Sequence, residues 1–203
     1  MRSPFLLVLL LLLPAVSGGQ ASGPPARWAL TLGGDLLRFS EVARDTVAAP
    51  NAQARLRPTG RLALQVGLAR RLGKWEAAIE TGWAGGHVQA SNDVIAIEDR
   101  ASDLTRYRLA ALMTRRVLVA GAGVILGTIG PTLDVWSVDG ERRVRGGVEA
   151  RIAVRVPLGS LEWENRLGVG LGGSPIENTD FEDGFRQRPL RVLGFGSALR
   201  VRL

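Results

Sequence analysis

Eight stretches of this chain alternate apolar and polar residues, and the gaps between them run long, short, long, short, long, short, long. Strict alternation marks β-strands with one apolar and one polar face, and helical i, i+3, i+4 spacing is hard to find. The stretches are 27–37, 61–72, 74–84, 104–115, 117–128, 147–158, 161–171 and 190–203. At roughly ten to fourteen residues they exceed the five or six typical of soluble sheets. Tight connections fall at 70–73, 114–117 and 157–160, and long polar ones at 40–60, 85–103, 129–146 and 173–189. Because hairpin-linked strands alternate direction, every tight turn lies at the end that holds both termini. The expected fold is all-β, an eight-stranded antiparallel up-and-down barrel.

The stretch 147–158 shows the two faces most clearly. Val148, Ala150, Ile152, Val154, Val156 and Leu158 alternate with Glu149, Arg151, Ala153 and Arg155. Over all eight stretches the polar face carries Asp35, Glu76, Glu80, Glu149, Glu162 and Glu164 against Arg106, Arg108, Arg151, Arg155, Arg166 and Arg200. Near-balance is what a lumen demands, since an unpaired buried charge costs several kcal/mol. The same face carries Gly33, Gly67, Gly82, Gly121, Gly123, Gly127, Gly168, Gly170, Gly194 and Gly196. Glycine weakens a strand on a solvated face, but inside a narrow eight-stranded barrel it makes room for long neighbours. The polar face is therefore expected inside, as an interior charge network, and the apolar face outside. With residues 158 and 159 as a two-residue loop, Arg155 lies opposite Glu162 and Arg151 opposite Arg166, a like-charge pair that needs Glu149 or Glu164 nearby.

Aromatic placement agrees with an outward apolar band. Trp28, Trp75 and Trp163 sit on the apolar face at the turn end, and Trp83 and Tyr107 near the opposite end. Two aromatic girdles bracketing a lipid-facing belt have this form, with short turns on the periplasmic side and long loops outside.

The first residues read as an export signal. Arg2 precedes an apolar run from Phe5 to Leu13, then Pro14 and small residues up to Gly23. That run is too short for a membrane helix, which needs roughly 20 apolar residues. Residues 1–21 are expected to be a cleaved secretory signal, cut between Ser17 and Gly23, and 22–203 a single barrel domain. The 203-residue chain has no cysteine, which excludes disulfides, thiolate metal sites and a lipidated N-terminal cysteine. Losing Arg2 lowers the net charge from +7 to +6, and the arginines follow strand periodicity rather than clustering with aromatics. Nucleic acid is not an expected partner.

The mature chain resembles the small eight-stranded outer-membrane β-barrel proteins of bacteria. In that family the last strand ends with apolar residues at alternate positions, which the barrel-insertion machinery recognises. Leu193, Phe195, Leu199, Val201 and Leu203 match, although Ser197 interrupts the series and Leu203 replaces the customary terminal Phe or Trp. The resemblance implies an integral transmembrane barrel in the cell outer membrane, surrounded by lipid and lipopolysaccharide, without a cofactor.

Little in the sequence points to chemistry. His87 is the only histidine, and with Ser91 and Asp93 it could imitate the His, Ser and acidic set with which some small barrels modify lipid A. Nothing nearby orients the three. The run from Gly121 to Gly127 lacks the helix and spacing of a nucleotide-binding turn. Acidic residues cluster at Asp93, Glu98, Asp99 and Asp103, and again at Glu177, Asp180, Glu182 and Asp183, without calcium-loop spacing. Between the clusters, Val94, Ile95, Ala96 and Ile97 form an apolar tip. The leading expectation is a non-enzymatic barrel with a charge-plugged interior and a structural or surface-interaction role through four long loops. Alternatives are a narrow channel or hydrophobic-ligand carrier with 119–127 as its weakly charged wall, a lipid A-modifying enzyme, and a soluble periplasmic ligand-binding barrel.

Overall fold

Backbone hydrogen bonds join the first long strand of the wall to the last, so the wall closes on itself. The computed structural model describes residues 28–48, 52–60, 62–92, 94–180 and 184–203. The expected signal 1–21, Arg27, Arg61, Asp93, Glu182 and Asp183 lie outside the described residues. In chain order the strands are β1 (Trp28–Phe39), β2 (Ala43–Asp45), β3 (Arg55–Pro58), β4 (Leu62–Leu72), β5 (Trp75–Ser91) and β6 (Ala96–Ala120). They continue with β7 (Gly123–Val138), β8 (Glu141–Leu158), β9 (Leu161–Gly172), β10 (Phe185–Gln187) and β11 (Leu190–Arg202). Eight long strands make the wall in the order β1-β4-β5-β6-β7-β8-β9-β11, every pair antiparallel. β1 closes it on β11, from Ala29 opposite Arg202 to Phe39 opposite Val192. Closure satisfies the ladder groups that an open edge would leave unpaired.

The wall is taller on one side than the alternation suggests. The connections expected at 85–103 and 129–146 are not long loops, because β5 with β6 and β7 with β8 run on as paired hairpins. The second of these turns at Asp139 and Gly140, both with positive φ (49° and 88°). That geometry fits the two-residue turns that match the twist of hairpin strands, for which Asp-Gly is a favoured pair. Residues 40–60 and 173–189 are true excursions. They carry β2, β3 and β10, which pair with one another and with the top of β5, and a 3-10 turn at Asn178–Asp180.

Two registers differ from expectation. The tight turn expected at 114–117 lies at Gly121, whose φ is 57°, because a bulge between Arg116 and Leu118 carries β6 on to Ala120. The face assignment of 117–128 therefore fails. Leu126 points inward and is 5% exposed, Gly127 lies on the outer side, and Gly121 belongs to the turn. The last tight turn uses Gly159 and Ser160, so Leu158 faces Leu161 and Arg155 faces Glu164 rather than Glu162. Arg151 then lies opposite Gly168, and Arg166 lies opposite Ala153 rather than opposite Arg151.

Outside the wall, Leu30, Leu32, Leu62, Leu64, Ile79, Leu109, Ile129, Ile152, Val169 and Leu199 are all exposed. They come from every wall strand and form a belt. No helix among the described residues is long and apolar enough to cross a membrane.

Candidate functional site

Inward-facing charges from seven of the eight wall strands, joined by the Gln65 amide of β4, line the barrel in tiers. At the turn end, Glu76 of β5 accepts hydrogen bonds from Arg200 of β11 (2.5 Å) and Arg155 of β8 (3.2 Å). Arg155 also holds Glu164 at 2.8 Å, while Glu162 accepts from Arg202 (3.0 Å) and pairs with Arg200 (3.2 Å). In the middle, Arg151 donates to Glu80 at 2.6 Å and to Glu149, which also pairs with Arg108. Beside them Arg166 donates to Asp35 (2.9 Å) and to the amide oxygen of Gln65 (2.6 Å), and the Gln65 amide donates in turn to Asp35.

Nearer the outer end, Arg106 grips Asp134 at two points, 3.0 and 2.9 Å, with its guanidinium over the rings of Phe39 and Trp136. Above that pair the lumen turns apolar. Phe39, Val42, Leu104, Trp136, Ile176 and Leu190 pack into a buried cluster that closes the mouth. The cluster joins the tops of β1, β6, β7 and β11 to the two excursions. The second excursion is tied down by Arg143, which pairs with Asp180 and donates to the Pro175 carbonyl (3.1 Å). Arg145 adds a 2.5 Å pair with Glu177. Burial alone would raise the Asp180 carboxyl, but the bonds from Arg143 and the Glu177 amide outweigh it and hold the group below its ordinary range. The same bond from Arg143 to Asp180 pushes the guanidinium further up.

Each of Asp35, Glu76, Glu80, Arg106, Arg108, Glu149, Arg151, Arg155, Glu162, Glu164, Arg166 and Arg200 thus makes at least one ion pair inside the wall. The sequence reading omitted three members, Gln65, Asp134 and Arg202. Asp134 was hidden in a presumed loop, although Thr132, Asp134 and Trp136 alternate with Leu133 and Val135. Trp136 itself is 1% exposed and lines the plug rather than a girdle.

The girdle residues lie on the outside. Trp28 and Trp75 carry the guanidiniums of Arg70 and Arg115, each 5.2 Å from the ring centre. Trp163 donates to the Ser197 hydroxyl at 2.7 Å, which gives a role to the residue that breaks the apolar series of the last strand. Trp83 and Tyr107 face each other across β5 and β6. His87 and Ser91 share strand β5 four residues apart, about 13 Å along an extended chain, so they are not brought together. Asp93 lies outside the described residues, and among those described no group of acidic, His or Cys side chains is arranged to hold a metal ion.

No protein-family model and no curated protein sequence matches the chain. Solved structures do match in fold. The crystal structure of Neisserial surface protein A aligns with a TM-score of 0.58 at 11% identity, covering 87% of this chain and 97% of that one. The outer membrane protein OprG from Pseudomonas aeruginosa gives 0.53 at 11% identity, covering 89% and 99%. The outer membrane protease OmpT from Escherichia coli gives 0.51 at 6% identity, covering 91% and 99%. At such identities the likeness is one of fold, that of outer-membrane β-barrels.

Proposed function

We propose that the chain is a non-enzymatic integral outer-membrane barrel, sealed along its axis, that acts through the surface it presents at its outer end. The observation that carries this reading is the combination of an unbroken apolar belt outside with paired charges inside. In water the belt would be an unprotected apolar surface far larger than monomeric proteins expose. In a bilayer it is the expected exterior, and closure satisfies every ladder group. Two mid-lumen cavities hold about 30 and 20 Å³, room for a water or two but not for an ion pathway or a hydrophobic ligand. The apolar cluster under the outer mouth adds a second barrier, which disfavours the channel and carrier readings. Separation of His87 from Ser91 disfavours the lipid A-modifying reading.

In this account residues 1–21 direct export, and the last strand engages the barrel-insertion machinery. Outer-membrane lipid and lipopolysaccharide surround the belt, and the partner at the surface is a protein or glycan still to be found. Heat-modifiable gel migration of the detergent-extracted protein should show a closed barrel, and planar bilayers containing it should stay silent. Steady single-channel currents would overturn the plug. Recovery in a detergent-free periplasmic extract would overturn membrane residence.

A further inference from the structure

On the outer wall, just above the lipid-facing belt, four arginines line one groove. Arg38 of β1, Arg55 and Arg57 of β3, and Arg191 of β11 surround a concavity of about 470 Å³ floored in part by Leu193. Arg38 follows Leu36 on the outward row of β1, and Arg191 precedes Leu193 on that of β11. Apart from Gly34 and Ser197 both rows are apolar until these residues, so the guanidiniums stand where acyl chains end and headgroups begin. Arg38 is paired in register with Leu193, which makes Arg191 its diagonal neighbour, about 7–8 Å away between backbones.

Two exposed like charges at that spacing repel, and among the described residues no carboxylate is paired with either. Glu41, the one acid among the described residues that line the groove, is already taken by Arg44 at 2.7 Å and by Arg188. Arg57 is oriented by a 2.8 Å bond to Gln89. Arg38, Arg57 and Arg191 therefore bring guanidiniums without a carboxylate partner among the described residues to headgroup depth, with the Ser91 hydroxyl beside them.

We propose that this groove binds the phosphorylated sugar headgroup of an outer-leaflet glycolipid. The assignment rests on the outer-membrane reading above and gives that reading a specific lipid partner. Guanidiniums match phosphate oxygens in a two-point geometry, and those of Arg38, Arg57 and Arg191 together exceed what a single-phosphate phospholipid can occupy. The volume admits a sugar ring, for which the Ser91 hydroxyl is a polar partner. The apolar rows beneath would lie along the acyl chains of the same molecule.

The test uses the full mature barrel in phosphatidylcholine nanodiscs, with binding of fluorescent diphosphorylated lipid A as the readout. Arg38→Gln with Arg191→Gln should weaken binding about tenfold, two charge-assisted contacts being lost at a partly exposed site. Arg142→Gln, exposed at the outer end of β8, should leave it unchanged. Heat-modifiable migration verifies that each variant is folded and inserted. Unchanged binding in the double variant, an equal loss in Arg142→Gln, or equal binding of phosphatidylglycerol would overturn the proposal. So would displacement by millimolar inorganic phosphate, which would mark a soluble-anion site. Failure of the parent protein to enter nanodiscs would instead overturn the membrane reading itself, and is told apart by the migration assay.

Discussion

Arg106 and Asp134 meet as a two-point pair at 3.0 and 2.9 Å directly beneath the rings of Phe39 and Trp136, so the last charged tier of the lumen is roofed by its apolar plug. Both side chains are buried. Removing one partner leaves the other charged without compensation, at a cost of about 3–5 kcal/mol. Asp134→Ala should lower barrel stability by that amount in urea titrations from vesicles. The double replacement Arg106→Leu with Asp134→Leu should recover most of the loss, since a well-packed apolar pair is often no worse than a buried ion pair. Equal losses in the single and double variants would argue against a charge-driven effect.

Gly196 faces Asp35 across β1 and β11, and a Cβ at 196 would land on the Asp35 carboxylate. That carboxylate cannot retreat, because Arg166 and Gln65 hold it. Gly196→Val should cost about 1–3 kcal/mol through overpacking and reduce the fraction that refolds to the heat-modifiable form. Gly170→Ala is the control. Its Cβ would meet Val192 at 3.7 Å, an ordinary contact, and should be tolerated.

These two sites show how far the fold could be read before its structure. Alternation alone located all eight wall strands and the inward row that holds Asp35, Arg106 and Gly196, because a buried lumen enforces a period of two. Strand ends were less legible. The bulge between Arg116 and Leu118 inserts a residue that no propensity marks, and it reversed the faces assigned to Leu126 and Gly127. Asp139 and Gly140 are a favoured hairpin pair, but the polar residues on both flanks look like a loop in sequence, which conceals Asp134 and Trp136. The partner of Arg155 depended on which two residues make the last turn. That choice rests on Gly159 taking φ 68°, a backbone detail invisible to side-chain patterning. The apolar plug was beyond pattern reading, since Val42 and Ile176 reach it from the two excursions.

Ile152 lies in mid-strand on β8, 57% exposed and paired in register with Gly127 and Leu167. If the belt meets acyl chains, Ile152→Arg should cost about 2–4 kcal/mol in lipid vesicles, the depth-dependent price near the midplane of a barrel. In detergent micelles, where the long side chain reaches water more easily, the cost should shrink. A variant as stable in vesicles as the parent would mean that this face does not contact hydrocarbon.

The clamp on the second excursion should respond to pH. Asp180 is held below the ordinary carboxyl value of 3.8, since the bonds from Arg143 and the Glu177 amide outweigh the opposing effect of burial. A carboxyl whose folded value is depressed stabilises the folded loop above its unfolded value and loses that contribution as pH falls through the folded one. Arg143, pushed upward, stays charged throughout. The excursion around Asn178–Asp180 should therefore stay clamped at neutral pH and loosen only below pH 3.8, while the wall persists. Hydrogen exchange corrected for its intrinsic pH dependence should show protection of the Asp180 amide, which donates to the Glu177 carbonyl at 3.1 Å, falling in that window. Asp180→Asn should lose that protection already at neutral pH and flatten the profile. If the substituted loop keeps the acid-induced loosening, another carboxylate controls it, and Glu177, paired with Arg145, is the neighbour to replace next.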